Sequence, residues 1–221
     1  LYSGEMTENK VGYRIDTLFS NISNYKITKG YSDVKEDYKK SIEEIKKLKG
    51  HLFVCTPKML GGFATISKLK AFCERYELDI LYIDQLSLLQ DQNRNKVRFE
   101  KFESLSTDIK DLQTQLQIPV IMAAQLNRDI EKDEDPDISN IMGSDKVGQD
   151  ATFILTLQNK DNNIVMQIIK NRDGKQGDKL TYHWDIDKGI LTFIPTSNDA
   201  TKGKHVEEVK NQYEKDGDEV F

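Results

Sequence analysis

Apolar residues along the first two thirds of the chain follow two alternating rhythms. Spacings of three or four predict helices, and short continuous runs bounded by turn residues predict buried strands. Leu1-Tyr2-Ser3 reads as the end of a strand. Thr7 is placed to cap a helix through about Asn21, with Val11, Ile15, Leu18 and Phe19 on its apolar face. Asp33 to Leu48 predicts a helix dense in Lys and Glu, buried along Tyr38, Ile42 and Ile45. His51 to Cys55 reads as a short strand, stopped by Thr56-Pro57. Ile66 to Tyr76 is a helix with Leu69, Phe72 and Cys73 inward. Asp79 to Asp84 is a strand that ends in an acid. A long helix follows from about Arg98 to Gln117, with Phe99, Phe102, Leu105, Ile109, Leu112 and Leu116 at helical spacing. Ile118 to Ala124 closes this part as another buried strand.

The rhythm then changes. Residues 151–157, 163–170, 180–187 and 190–194 all read as strands, with turn residues at 159–162 and 187–189. Asp91 to Lys96 and Asp129 to Pro136 are polar loops, and the tail after Pro195 has no apolar period. Alternating helix and strand implies parallel strands with crossover helices. The expected fold is therefore α/β: a mostly parallel sheet flanked by helices, followed by an antiparallel meander. One domain is expected over residues 1–195, with a polar tail over 196–221.

Composition narrows the function classes. The 221 residues carry a net charge of −5, so nucleic-acid contact requires a local basic patch rather than an overall basic balance. Cys55 and Cys73 form no CxxC pair, and His51, His183 and His205 are scattered, so neither a zinc site nor a disulfide framework is expected. No apolar run approaches the roughly 20 residues that cross a bilayer. A reducing, cytoplasmic setting is the expectation.

Parallel sheets place their ligands at the carboxyl ends of the strands. Glu5, Asp84 and Gln125 all fall at such ends. Asp84 can hold Mg²⁺ beside nucleotide phosphates, or it can simply cap the next element. Glu5 can orient or deprotonate an attacking water, or it can answer a helix dipole. Gln125 can donate to a phosphate oxygen while accepting from water. Lys170 and Arg172 stand one residue apart and leave a strand on the same side, suited to a shared phosphate. They can equally be the solvated tip of a hairpin. Gly143, Ser144, Lys146 and Gly148 lie in a glycine-containing segment able to approach a phosphodiester backbone, or to form a surface turn.

Taken in order, these segments resemble the C-terminal ATPase domain of DnaB-type replicative helicases, a family of RecA-like ring ATPases. The resemblance covers about residues 1 to 194. YSGEM is similar to the segment that carries the family's catalytic glutamate, which implies that role for Glu5. LDILYIDQLSLL resembles the Walker B strand, with Asp84 as the magnesium-associated acid. IPVIMAAQLNRD resembles the segment ending in a phosphate-sensing glutamine, here Gln125. GSDKVGQDATFILTL is similar to the motif adjoining the DNA-binding loop, and IIKNRDGKQG to the Lys-x-Arg-x-Gly run. Lys170 and Arg172 then inherit a lysine-and-arginine-finger role on nucleotide held by the next subunit.

The resemblance implies ATP and Mg²⁺ as cofactors, single-stranded DNA as track, and a hexamer of the full-length protein. It further implies a primase and a helicase loader as partners, in a bacterial cell or phage-infected host. Three departures accompany it. No Gly-x-x-x-x-Gly-Lys-[Ser/Thr] phosphate loop occurs, so that loop is expected ahead of Leu1 and the chain alone is expected to be inactive. Met142 stands where the family has an arginine, leaving Lys146 as the nearby cation. The primase-interacting N-terminal domain is not in this sequence. Two other readings of the same fold are a RecA-like recombinase or clock-type ATPase, and a catalytically inactive assembly module.

Overall fold

The computed structural model describes residues 1–91, 98–126, 135–141 and 145–195. The expected loop at 91–96 therefore lies outside it except for Asp91. The same holds for most of the loop at 129–136 and for the whole tail at 196–221. Two sheets organise the described residues. The first has three parallel strands in the order β1 (Tyr2–Ser3), β2 (Leu81–Asp84), β3 (Val120–Met122). The second is a four-stranded antiparallel meander: β4 (Phe153–Lys160), β5 (Asn163–Asn171), β6 (Lys179–Asp185) and β7 (Ile190–Ile194). This division matches the change of rhythm in the sequence.

Among the described residues, six α-helices accompany the sheets. They are α1 (Glu8–Ser20), α2 (Asn24–Lys29), α3 (Lys35–Ile45), α4 (Ile66–Arg75), α5 (Arg98–Leu116) and α6 (Asp145–Asp150). Thr65 caps α4 by accepting from Lys68 N–H, which satisfies one of the amides a helix start leaves unpaired. Lys68 Nζ then binds the Leu60 carbonyl at 2.6 Å and lies over the Phe63 ring, tying down the turn before the helix. α5 ends at Gln117, whose left-handed φ of 55° cannot continue a helix. Among the described residues, no helix is long and apolar enough to cross a membrane.

One apolar core serves the parallel sheet. Tyr2, Leu81 and Ile83 from the strands meet Ile66, Leu69 and Cys73 of α4 on it, with Phe102, Leu105, Ile109 and Leu112 of α5. The helical spacing that predicted α5 therefore names its buried side, apart from Phe99, which is exposed.

Two local expectations are corrected. His51 to Cys55 is not a strand; only Cys55 bridges to Tyr2. The backbone of Leu1 to Ser3 that faces this segment bonds to Cys55 and Phe53. On α1, Val11 is buried as expected, but Leu18 and Phe19 are exposed and Thr17 is buried instead. Thr17 tolerates burial because its hydroxyl donates to the Tyr13 carbonyl and accepts from Asn24 Nδ2 at 2.9 Å. The Tyr38 hydroxyl ties α3 to α1 by donating to Asp16 at 2.6 Å.

The antiparallel sheet is held at both ends. At one, the Asp187 carbonyl and carboxylate in the β6–β7 turn accept from the Asn24 and Tyr25 amides at the start of α2. Gly189 in the same turn leaves room for Leu18, whose Cδ2 sits 2.9 Å from where a Cβ would be. At the other end, the cations at the end of β5 and just after it reach α6.

Candidate functional site

β2 is the middle strand of the parallel sheet, so its carboxyl end is flanked on both sides by parallel neighbours. Ser3 pairs with Asp84 and Ile83 with Met122, which brings the three strand ends to one edge. Glu5, Asp84 and Gln125 follow at that edge, as their positions in the sequence imply. Glu5 and Gln125 are exposed and Asp84 is half-buried.

The backbone there is tightly specified. Gly4 N–H donates to the Asp84 carbonyl at 2.7 Å, and Ser3 Oγ accepts from Met6 N–H, closing the turn that carries Glu5. A Cβ on Gly4 would lie 2.7 Å from Leu88 Cδ1, closer than real atoms approach. Glycine thus lets the short 3₁₀ turn at Leu86–Leu88 pack under the Glu5 loop. On the other flank, Leu86 N–H reaches the Ala123 carbonyl, two residues before Gln125.

One residue at this edge escaped the sequence reading. Gln85 donates from Nε2 to Glu5 Oε1 at 2.9 Å, across a cis Asp84–Gln85 peptide. A glutamine after a strand acid carries no special sequence signal, because its direction depends on the backbone beyond β2.

The donor set suits a magnesium ion held mainly by a nucleotide. Among the described residues, no three His, Cys, Asp or Glu side chains cluster as a metal cage. Mg²⁺ commonly takes one or two protein carboxylates and completes its shell with phosphates and water. Asp84 offers one such carboxylate. Thiol chemistry does not suit this region: burial pushes the Cys55 thiol up to about 11, and burial likewise raises Cys73.

Lys170 and Arg172 sit together, as the one-residue spacing implies, but on the antiparallel sheet. Lys170 Nζ donates to the Gly148 carbonyl at 2.6 Å and the Gln149 carbonyl at 2.9 Å. Arg172 Nη2 donates to the same Gln149 carbonyl at 2.7 Å. The last carbonyls of a helix lack partners within it and carry partial negative charge, so two cations fit there. Desolvation, and then the neighbouring Arg172 charge, hold the Lys170 ammonium below its usual range.

Of the segment expected near DNA, Gly143 and Ser144 lie outside the described residues. Lys146 is half-buried on α6 and pairs with Asp150 at 3.1 Å. Gly148 is buried, and Ile138 Cγ2 lies only 2.1 Å from where its Cβ would stand. Asp150 also accepts from Ser106 of α5 at 2.8 Å. Burial works to raise the pKa of Asp150, but the Ser106 and Lys146 hydrogen bonds together outweigh it and hold the carboxyl below its ordinary value.

Comparison with known proteins identifies relatives of the chain. A probable plasmid replicative DNA helicase of Chlamydia psittaci is 32% identical over 161 residues, 71% of this chain and 35% of that protein. A replicative DNA helicase DnaB of Helicobacter pylori is 37% identical over 94 residues, 42% of this chain and 19% of that protein. These alignments thus span about a third or less of each relative's length. Among solved structures, one ATPase domain superposes with a TM-score of 0.75 at 21% identity, covering 88% of this chain and 73% of that one. A DnaB-like replicative helicase described with its interactions with primase gives 0.74 at 21% identity, over 88% and 50%. Such likeness establishes the fold as that of a RecA-like helicase ATPase domain. Residues 1–188 match the family described as DnaB-like helicase C terminal domain, and the chain belongs to that family.

Proposed function

We propose that this chain is the motor portion of an ATP-driven replicative helicase that works as a hexameric ring on single-stranded DNA. The observation that carries the reading is that Glu5, Asp84 and Gln125 stand at or just past the ends of adjacent strands of one sheet, while Lys170 and Arg172 stand paired on another. Hydrolysis of a terminal phosphate needs an oriented water, a metal-associated acid and donors for the developing charge. The first sheet holds the acids and the amide. Lys170 and Arg172 turn to α6 rather than to that edge, which suits them to a nucleotide on a neighbouring subunit.

In this reading Asp84 would hold Mg²⁺, which when bound would offset the negative charge of the nucleotide phosphates. Glu5 orients and deprotonates the attacking water, held in place by Gln85. Gln125 contacts the terminal phosphate. The 143–146 part of the segment expected near DNA follows the DNA backbone, so sequence preference is slight, while Gly148 is packed against Ile138. A primase and a loader are the proposed partners of the complete protein, which acts in the cytoplasm.

ATP hydrolysis by the full-length protein, with and without single-stranded DNA, tests this directly. DNA should stimulate the wild type strongly. Glu5→Gln should abolish turnover, and Arg172→Ala should lower it by about 10³-fold or more. Mixing the two variants should restore activity, because each supplies what the other lacks. A full-length protein without ATPase activity would sink the proposal in favour of an inactive assembly module.

A further inference from the structure

We infer that the contact between Ile138 and Gly148 positions the Lys170–Arg172 pair, coupling it mechanically to the strand end that carries Gln125. The inference rests on the trans role proposed above for that pair.

The link is continuous in named contacts. Leu126, next to Gln125, forms an antiparallel bridge with Ile141. Ile141 ends the short 3₁₀ turn Ile138–Asn140. That turn is held rigid by a reciprocal cap: the Asp137 carboxylate accepts from Ser139 N–H at 2.9 Å, and the Asn140 side chain accepts from Asp137 N–H at 2.6 Å. From it, Ile138 presses on Gly148 so closely that no Cβ fits between them. The Gly148 and Gln149 carbonyls in turn receive Lys170 and Arg172. A shift at Gln125 therefore reaches both cations through backbone and packing, without passing through solvent.

The hydrogen count supports positioning rather than sequestration. An ammonium has three N–H donors and a guanidinium five. Among the described residues, Lys170 gives two to the carbonyls and Arg172 one, so both keep donors for a phosphate while α6 fixes where they point. Asp150 anchors the other side of α6 to α5 by accepting from Ser106, so the helix moves as a body. Rigid packing transmits such displacements because interiors do not compress.

Gly148→Ala, Ile138→Ala and the double variant, made in the full-length protein, separate the possibilities. A misplacement on the order of 1 Å far from the chemistry can cost about 10²-fold. Gly148→Ala should therefore lower the DNA-stimulated kcat by about that factor, with the KM for ATP near wild type. Adding Ile138→Ala removes the clashing methyl and should restore most of the rate. Mixed rings supply a readout that loss of structure would not move. Gly148→Ala subunits keep their own Glu5 site, so mixing them with Glu5→Gln subunits should recover activity, as Arg172→Ala subunits do.

A wild-type rate in Gly148→Ala overturns the inference. So does a defect that neither the second substitution nor mixing relieves. If Arg172→Ala also fails to complement Glu5→Gln, the trans role falls, and relief of Gly148→Ala by Ile138→Ala alone then decides whether the contact positions the pair.

Discussion

The two sheets differ in how they are held. The parallel sheet is short-stranded yet sits on nearly the whole apolar core, with Tyr2, Leu81 and Ile83 almost fully buried. The antiparallel sheet has longer strands and many more ladder pairs, yet Thr156 is its one buried residue. Phe153, Leu155, Leu157, Leu191 and Phe193 of its strands are all exposed. One sheet is fixed by packing, the other by hydrogen bonds and by its two ends. The acids and the amide of the candidate site stand on the packed sheet, where positions are precise. The paired cations stand on the pinned one, where position is set from outside.

Substitutions can sharpen or break that contrast. The largest effect belongs to the packed sheet's core. Leu105 is fully buried on α5, and Leu105→Ala should cost about 3 kcal/mol in urea unfolding. A loss under about 1 kcal/mol would mean that this core is looser than its burial implies. The tether of α6 comes next: Asp150→Ala strands the buried Ser106 hydroxyl and should cost roughly 1.5 kcal/mol near neutral pH. Because Asp150 is held below its ordinary value of 3.8, that stabilisation is present above pH 3.8 and is lost as pH falls through the lower folded value. The wild-type and variant stability curves should therefore converge only in strong acid, and convergence near neutral pH would contradict the tether.

Tyr38→Phe removes one α1–α3 hydrogen bond and should cost about 1 kcal/mol. Burial first, then the Asp16 hydrogen bond and charge, push the Tyr38 hydroxyl up to about 12. The folded state thus keeps a proton that the unfolded chain gives up near 10.0, so the contribution is whole below that pH and is lost as pH rises through about 12. Phenolate absorbance compared between wild type and Tyr38→Phe checks this: the tyrosine present only in the wild type should ionise near 12 rather than near 10.0. The smallest effect belongs to the open sheet. Leu157 is 58% exposed, and Leu157→Thr should stay within about 0.5 kcal/mol of wild type. A much larger loss would show that the exposed apolar face is covered in the working assembly, and the contrast between the sheets would then describe the isolated chain only.

Much of this organisation was legible in the sequence, for definite reasons. α5 and the Leu81 and Ile83 positions of β2 have apolar patterns set by burial, so period and burial agree, whereas β3, expected to be buried, leaves Ile121 half exposed. The meeting of Glu5, Asp84 and Gln125 followed from strand ends in a parallel sheet, which needs no knowledge of side-chain contacts. Lys170 and Arg172 were paired by strand alternation, but their partners are backbone carbonyls more than twenty residues earlier, which no residue pattern encodes. Gln85 was missed for a related reason, since its reach to Glu5 depends on the path of the chain after β2. The face of α1 was misjudged because a hydrogen-bonded threonine went inside where leucine and phenylalanine looked the better candidates. Gly148 read as part of a segment that approaches a phosphodiester backbone or forms a surface turn, whereas its neighbour Ile138 fills the space a side chain would need.

The anchored turn at Asp187 has a mechanical consequence. A sheet attached at both ends and free along its length behaves as a beam on two supports. One support is α2, which follows Glu5 by a single helix; the other is the carbonyl end of α6. Tilting either support swings the far end of the beam, and the stiffness of four laddered strands sets how faithfully the swing arrives. A movement of α2 would thus be delivered to Lys170 and Arg172 as a rotation, with no side chain along the way needing to change its partner.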